Sequence, residues 1–203
     1  MKRKILIGLL AGAALALLPT KSWAAITGTD HDLKGSGWGS TQICIYCHTP
    51  HNAKTGADNV APLWNHGVTA ATFTLYSSST LNAVPGQPAG VSKACLSCHD
   101  GTVAIDTFGS QTGTHNMTGG ANLGNNLSND HPISFTYNAA LATADGGLKT
   151  PADASWVDAA HTVPLFSSNM ECASCHNVHD DTNGDFLRIS NAASALCLKC
   201  HNK

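Results

Sequence analysis

The pentapeptide Cys-x-x-Cys-His occurs four times, as CIYCH from Cys44, CLSCH from Cys95, CASCH from Cys172 and CLKCH from Cys197. Together these motifs consume all 8 cysteines. Two thiols three positions apart on one turn can each add to a vinyl group of a porphyrin, and the His that follows sets an imidazole beneath the iron. The expected cofactors are therefore four covalently attached c-type haems. Cys44, Cys47, Cys95, Cys98, Cys172, Cys175, Cys197 and Cys200 would attach them, and His48, His99, His176 and His201 would be the proximal iron ligands. A zinc ribbon also pairs CxxC motifs but has no use for a His after every second Cys. A disulfide scaffold would not space its cysteines so uniformly.

The remaining histidines decide what such iron does. Of 11 in the chain, seven lie outside the motifs: His31, His51, His66, His115, His131, His161 and His179. Four distal positions need filling, so supply exceeds demand. Iron with two axial imidazoles has no open position for substrate and passes electrons. His51 in CHTPH and His179 in CHNVH each sit three residues after a proximal His, on the same helical face. A second ligand to the same iron must approach from the opposite side of the porphyrin, so both are expected to serve a different haem. His131 in NDHPISF precedes a proline that holds the local backbone extended, and it is a further distal candidate. His31 in TDHDLKG and His66 in PLWNHG are each further distal candidates, so that four of these five are expected to ligate. His115 and His161 lie in polar loops and read as surface residues.

Motif starts at 44, 95, 172 and 197 are separated by 51, 77 and 25 residues. The first two haems are expected to form one pair, in roughly residues 25–140, and the last two a tight pair, in roughly residues 141–203. Helical signals are confined to short pieces around the motifs. The clearest runs over Ser190–His201, with Ser190 or Asn191 as cap. GSGWGS at 35–40 and TGGANLGNN at 118–126 read as loops. Thr72–Ser77 and Ile133–Tyr137 have strand composition without strand length. DDTNGD at 180–185 alternates like the start of a calcium loop, but its glycine is misplaced and no Glu closes it, so a turn is expected.

Composition fits a chain that wraps its cofactors. Aromatic residues make up 6% and charged residues 12%, and side chains alone would build a thin core. The expected fold is mostly irregular coil with short helices around the CxxCH motifs, wrapped around a stack of four haems. Residues 1–24 open with Lys2, Arg3 and Lys4, run apolar from Ile5 to Leu18 and end in Ser22-Trp23-Ala24. That is the pattern of a cleaved secretory signal. The apolar run of about 14 residues falls short of the roughly 20 needed to span a bilayer. A single domain over 25–203 follows, soluble and exported. Without the leader, 7 basic side chains face 13 acidic ones, a net charge of −6. Nucleic acid is an unsuitable partner for such a surface.

The stretches HDL, CIYCHTPHNA, APLWNH, SKACLSCHDGTVA, HPISF and CASCHNVHD followed by SALCLKCH resemble the secreted multihaem cytochromes with paired CxxCH motifs. Among them the chain is most similar to the tetrahaem extracellular nanowire cytochromes of the outer-membrane cytochrome E type. The resemblance implies a homopolymer in which a His of one subunit ligates a haem of the next. Carried over by motif, His51 would be the ligand given in trans, to the third haem held by Cys172 and Cys175. His179 would serve the fourth haem within its own chain, and His131, with His31 or His66, the first two. The implied function is electron conduction along an extracellular filament to an external acceptor, with no enzymatic turnover. The alternative is a monomeric periplasmic electron shuttle with all four distal ligands intramolecular. A multihaem reductase would need an open iron position, which the surplus of histidines argues against.

Overall fold

The computed structural model describes residues 26–202. The expected leader and the expected mature N-terminus at Ala25 lie outside the described residues. The chain is mostly coil and turn, as its composition implies. Its regular elements are helix α1 (Gly90–His99), strand β1 (Phe135–Thr136), helix α2 (Ala139–Asp145), strand β2 (Asn169–Met170), helix α3 (Cys172–Cys175) and helix α4 (Cys197–Cys200). No helix among the described residues is long and apolar enough to cross a membrane.

Each helix end has a local cause. Glu171 caps α3 in a reciprocal capping box with Ser174, the Glu171 side chain accepting from the Ser174 amide, an arrangement that satisfies orphan donors of the first turn. In α2 the Asn138 side chain accepts from Leu141 N at 2.9 Å, and Gly146 stops the helix at φ 70°, where a side chain would strain the backbone. This helix contains no motif, which corrects the expectation that helices are confined to the motifs, although its Leu141 packs on the same cluster as Cys175 and Cys200. The cap and the glycine stop were both present in the sequence.

The helix expected over Ser190–His201 is broken. Ala193 and Ser194 take φ of 53° and 62°, leaving a 3-10 turn at Ala192–Ser194 and only α4 as true helix. Asn191 is the cause: its side-chain oxygen accepts from Leu196 N at 3.2 Å and so competes with the helical backbone for donors. Of the two strand candidates, Ile133–Tyr137 supplies β1, which pairs antiparallel with β2 in the register Phe135 to Met170 and Thr136 to Asn169. Thr72–Ser77 yields only an isolated bridge, Thr74 to Asn126.

The apolar interior is divided. Seven buried residues, Phe135, Tyr137, Val157, Val163, Leu165, Met170 and Leu196, pack with Cys175 and Cys200 around motifs 3 and 4. Two smaller groups hold the first half: Val60, Trp64 and Ala94 beside Cys47, and Phe73, Leu96 and Leu127. In the first two groups a motif cysteine stands at the edge of the cluster. The apolar packing therefore ends where a porphyrin edge would begin.

Candidate functional site

In motifs 1, 3 and 4 one backbone bond does the positioning. The amide of the motif His reaches the carbonyl of the first Cys: His48 to Cys44 at 2.8 Å, His176 to Cys172 at 3.1 Å, His201 to Cys197 at 3.0 Å. A single helical turn thereby brings both sulfurs and the imidazole to one side. Motif 2 achieves the same at the end of α1. Burial pushes the Cys47 thiol up to about 11 and that of Cys200 to about 12. These sulfurs are neutral and in apolar surroundings, the environment a thioether needs.

The second positioning device acts on the imidazoles. His48 Nδ1 stands 2.7 Å from Pro62 O, His99 Nδ1 2.8 Å from Ala121 O and His176 Nδ1 2.8 Å from Asp185 O. A carbonyl only accepts, so each Nδ1 carries the proton and each Nε2 keeps its lone pair. A backbone carbonyl that fixes tautomer and ring orientation in this way is the usual outer support of a metal-ligating His. Two of the three carbonyls come from segments that composition marks only as loops: the 3-10 turn Gly119–Ala121 and the DDTNGD turn. That turn is hydrogen-bonded, with Asp181 Oδ1 accepting from Phe186 N at 2.8 Å. The turn expectation for it holds.

Imidazoles then meet in twos. His31 and His99 have ring centres 6.0 Å apart, His48 and His179 6.1 Å, His131 and His201 6.5 Å. Two imidazoles bound to one metal from opposite sides, each nitrogen about 2 Å from the metal and about 1 Å ahead of its ring centre, stand roughly 6 Å apart. All three separations fit an iron between the rings. His31 adds a second observation. Its Nδ1 is buried without a hydrogen-bond partner, its ring rests edge-on against Phe186 at 4.4 Å, and burial followed by the charge of His99 lowers its pKa to about 4. A neutral, buried imidazole is the form that ligates iron. Among the described residues no three His, Cys, Asp or Glu side chains converge on a common point.

His66 is placed differently. It is 1% exposed, with Nδ1 2.7 Å from Gly67 O and Nε2 3.0 Å from Ala104 O. Both nitrogens lie against backbone carbonyls, of which a neutral imidazole can donate to one, and among the described residues no proximal imidazole faces the ring. Both His31 and His66 lie at motif 2, His66 with Nε2 3.4 Å from Cys98 Sγ, but only His31 is set against a proximal imidazole, that of His99. His179, which the resemblance assigned to the fourth haem, is brought to motif 1 instead. His131, assigned to the first two, is brought to motif 4. His176 has no second imidazole against it among the described residues. His51 is exposed and lines a groove of about 410 Å³ with Thr49, Asn52, Asn65, Phe108 and Gln111. His115 and His161 fit their surface reading. His115 stacks on Trp38 at 4.8 Å with Nδ1 2.8 Å from Asp106, and His161 stacks on Trp156 at 4.9 Å.

Motifs that follow one another in sequence lie near one another in the fold. Cys47 lies within electrostatic reach of Cys98, the Cys95 thiol hydrogen-bonds that of Cys172, and Cys175 is in reach of Cys197 and Cys200. Pairing by sequence distance alone anticipated a 1/2 pair and a 3/4 pair. The structure adds a direct junction between motifs 2 and 3, where α1 packs on α3. An open groove of about 480 Å³ beside motif 4 is lined by Ala193, Ser194, Cys197, Leu198 and His201.

A family model described as the doubled CXXCH motif matches residues 166–203. Motifs 3 and 4 are similar to this doubled motif. The match supports a multihaem c-type cytochrome-like protein that attaches haem covalently. Comparison with curated proteins gave no match. The doubled motif carries Cys172, Cys175, His176, Cys197, Cys200 and His201, and the same turn geometry recurs at Cys44–His48 outside the matched segment.

Proposed function

We propose that the chain is a tetrahaem electron carrier with two axial imidazoles on every iron, working outside the cytoplasm as the subunit of a conductive filament. Bound at the four motifs, haem iron supplies reversible one-electron redox chemistry. The protein residues attach it, fix the ligand tautomers and leave no open iron position for substrate. His31 with His99, His179 with His48 and His131 with His201 are the axial sets supplied within one chain. The order of the motif contacts supports a continuous electron path from motif 1 to motif 4.

The observation that carries the filament reading is an asymmetry. Three proximal imidazoles face a second imidazole at 6.0–6.5 Å, whereas His176 faces none among the described residues and the unengaged His51 is exposed beside a groove. His51 and His179 stand at equivalent places in CHTPH and CHNVH. His179 reaches across to motif 1, and the equivalent reach of His51 is to motif 3 of a neighbouring copy.

The test is electron cryo-microscopy of the secreted material together with visible spectra of dispersed subunits. Filaments in the parent, and dispersed His51→Ala protein with one high-spin haem, are the expected result. Dispersed parent protein with every haem low-spin and no polymer would instead establish a monomeric shuttle.

A further inference from the structure

Glu171 is a buried carboxylate, 5% exposed, at the junction of motifs 2 and 3. Its Oε2 accepts from Ser92 of α1 and from Ser134 at 2.8 Å. Ser92 Oγ in turn accepts from the Cys172 amide at 2.9 Å. The carboxylate therefore holds together the helix of motif 2, the helix of motif 3 and the segment that leads from His131 into β1. Of titratable side chains, the Cys172 thiol faces it, with the Cys95 thiol behind. The Lys and Arg ion pairs among the described residues are made elsewhere, at Asp32 and Asp158. Neutral hydroxyls and an amide alone support the charge.

A buried carboxylate without a cation is costly to keep ionised, and a helix cap could be made by a neutral Gln or Ser. Burial raises the pKa of Glu171 above the ordinary carboxylate value, against the opposing hydrogen bonds from Ser92 and Ser134.

We propose that Glu171 is a redox-linked proton site: its carboxylate takes up one proton as the haem pair attached at Cys95 and Cys172 gains one electron, and releases it on reoxidation. The electron comes along the haem path from the donor that reduces the chain, and the proton comes from solvent and forms the carboxyl O–H. An added electron places negative charge beside the carboxylate and favours its protonated form, so charge at the junction stays constant through the cycle. This inference rests on the multihaem reading above.

The test is potentiometry of the haem-loaded protein as a function of pH, with redox-difference infrared spectroscopy. In the parent, one component of the reduction curve should fall as pH rises through the window in which Glu171 titrates. A tenfold change in proton activity corresponds to about 59 mV for a one-electron step, the limiting slope per pH unit. Glu171→Gln keeps the acceptor and should remove that slope, together with the protonated-carboxyl stretching band that appears on reduction. Ser134→Ala withdraws one hydrogen bond from the ionised form and should move the sloping window to higher pH. A slope and band unchanged in Glu171→Gln would overturn the assignment, as would a parent with neither. Failure of the multihaem reading would show separately, in the haem count and low-spin spectrum recorded before each titration.

Discussion

His48 and His179 face each other with ring centres 6.1 Å apart and planes 23° from parallel, although one belongs to the first motif and the other follows the third. His131 likewise comes from the first half of the chain to meet His201 of the last motif. The halves exchange imidazoles, so each haem site would close only when distant segments have docked. Replacing His179 by Ala should turn one haem high-spin, as read by visible absorption and electron paramagnetic resonance. In a variant that also lacks Cys44 and Cys47 the high-spin signal should vanish with the haem that carries it. Its persistence would place His179 on another iron.

His66 should behave in the opposite way. Its nitrogens lie against the carbonyls of Gly67 and Ala104 and a neutral imidazole donates to one of them, so His66→Ala strips the donor from one buried carbonyl at a cost of roughly 1–3 kcal/mol. Thermal denaturation should show that loss, while the low-spin haem count stays unchanged. A high-spin haem in this variant would make His66 a ligand after all.

Much of the site was legible because CxxCH writes its chemistry within five residues. The attachment points and proximal ligands need only one helical turn, and every motif makes it. The distal imidazoles were legible as a surplus but not as pairs, since pairing depends on which segments dock. His131 meets His201 only after the Ile133–Tyr137 segment has paired with Asn169–Met170, and a two-residue strand leaves almost no periodicity to read. His31 and His66 looked equivalent in sequence; what separates them is that His66 sits between two carbonyls from residues 67 and 104. The carbonyl anchors Pro62, Ala121 and Asp185 were invisible for the same reason: a backbone oxygen has no sequence signature.

Acid should weaken the anchoring of motif 4. Asp158 Oδ2 accepts from Lys199 Nζ at 2.8 Å, and its carboxylate also accepts from Thr162 and Val163. Burial opposes ionisation, but these bonds outweigh it and hold the carboxyl well below its ordinary value of 3.8. A depressed folded-state value means the stabilisation is fully present above the unfolded value and is lost as pH falls through the range beneath it. Lys199 lies between Cys197 and Cys200, so this pair ties α4 to the 152–163 loop. Asp158→Asn should cost about 2 kcal/mol at neutral pH, and its denaturation midpoint should be flatter than the parent's below pH 3.8. Equal acid sensitivity of the two proteins would count against the pair.

Gly113 tests the packing beside Trp38. A Cβ there would lie 2.1 Å from Asp106 Oδ1 and 2.6 Å from the Asp106 backbone, and Asp106 cannot retreat because it accepts from the amides of Thr114 and His115. Gly113→Ala should destabilise by about 1–3 kcal/mol through overpacking. Because Asp106 and His115 belong to none of the proposed axial sets, the haem spectrum should be that of the parent. A midpoint within error of the parent would mean that this turn yields more easily than its hydrogen bonds imply.

The largest effect should come from withholding haem. Among the described residues side-chain packing is divided among a seven-residue cluster and two three-residue clusters, and no long helix or broad sheet links them. Motif cysteines stand at the cluster edges, and the buried Nδ1 of His31 has no protein partner. Among the described residues ten non-glycine residues adopt positive φ, each at a cost of about 1–3 kcal/mol that the surroundings must offset. Two of them, Ala193 and Ser194, line the groove beside motif 4. A chain whose core ends where its cofactors begin gains its folding free energy from binding them, as small metal-dependent domains do. Chain made without haem attachment should therefore be digested throughout by a protease at concentrations that leave the loaded protein intact. A protected haem-free fragment spanning Phe135–Leu196 would show that the seven-residue cluster folds on its own and that haem is needed only for the first half.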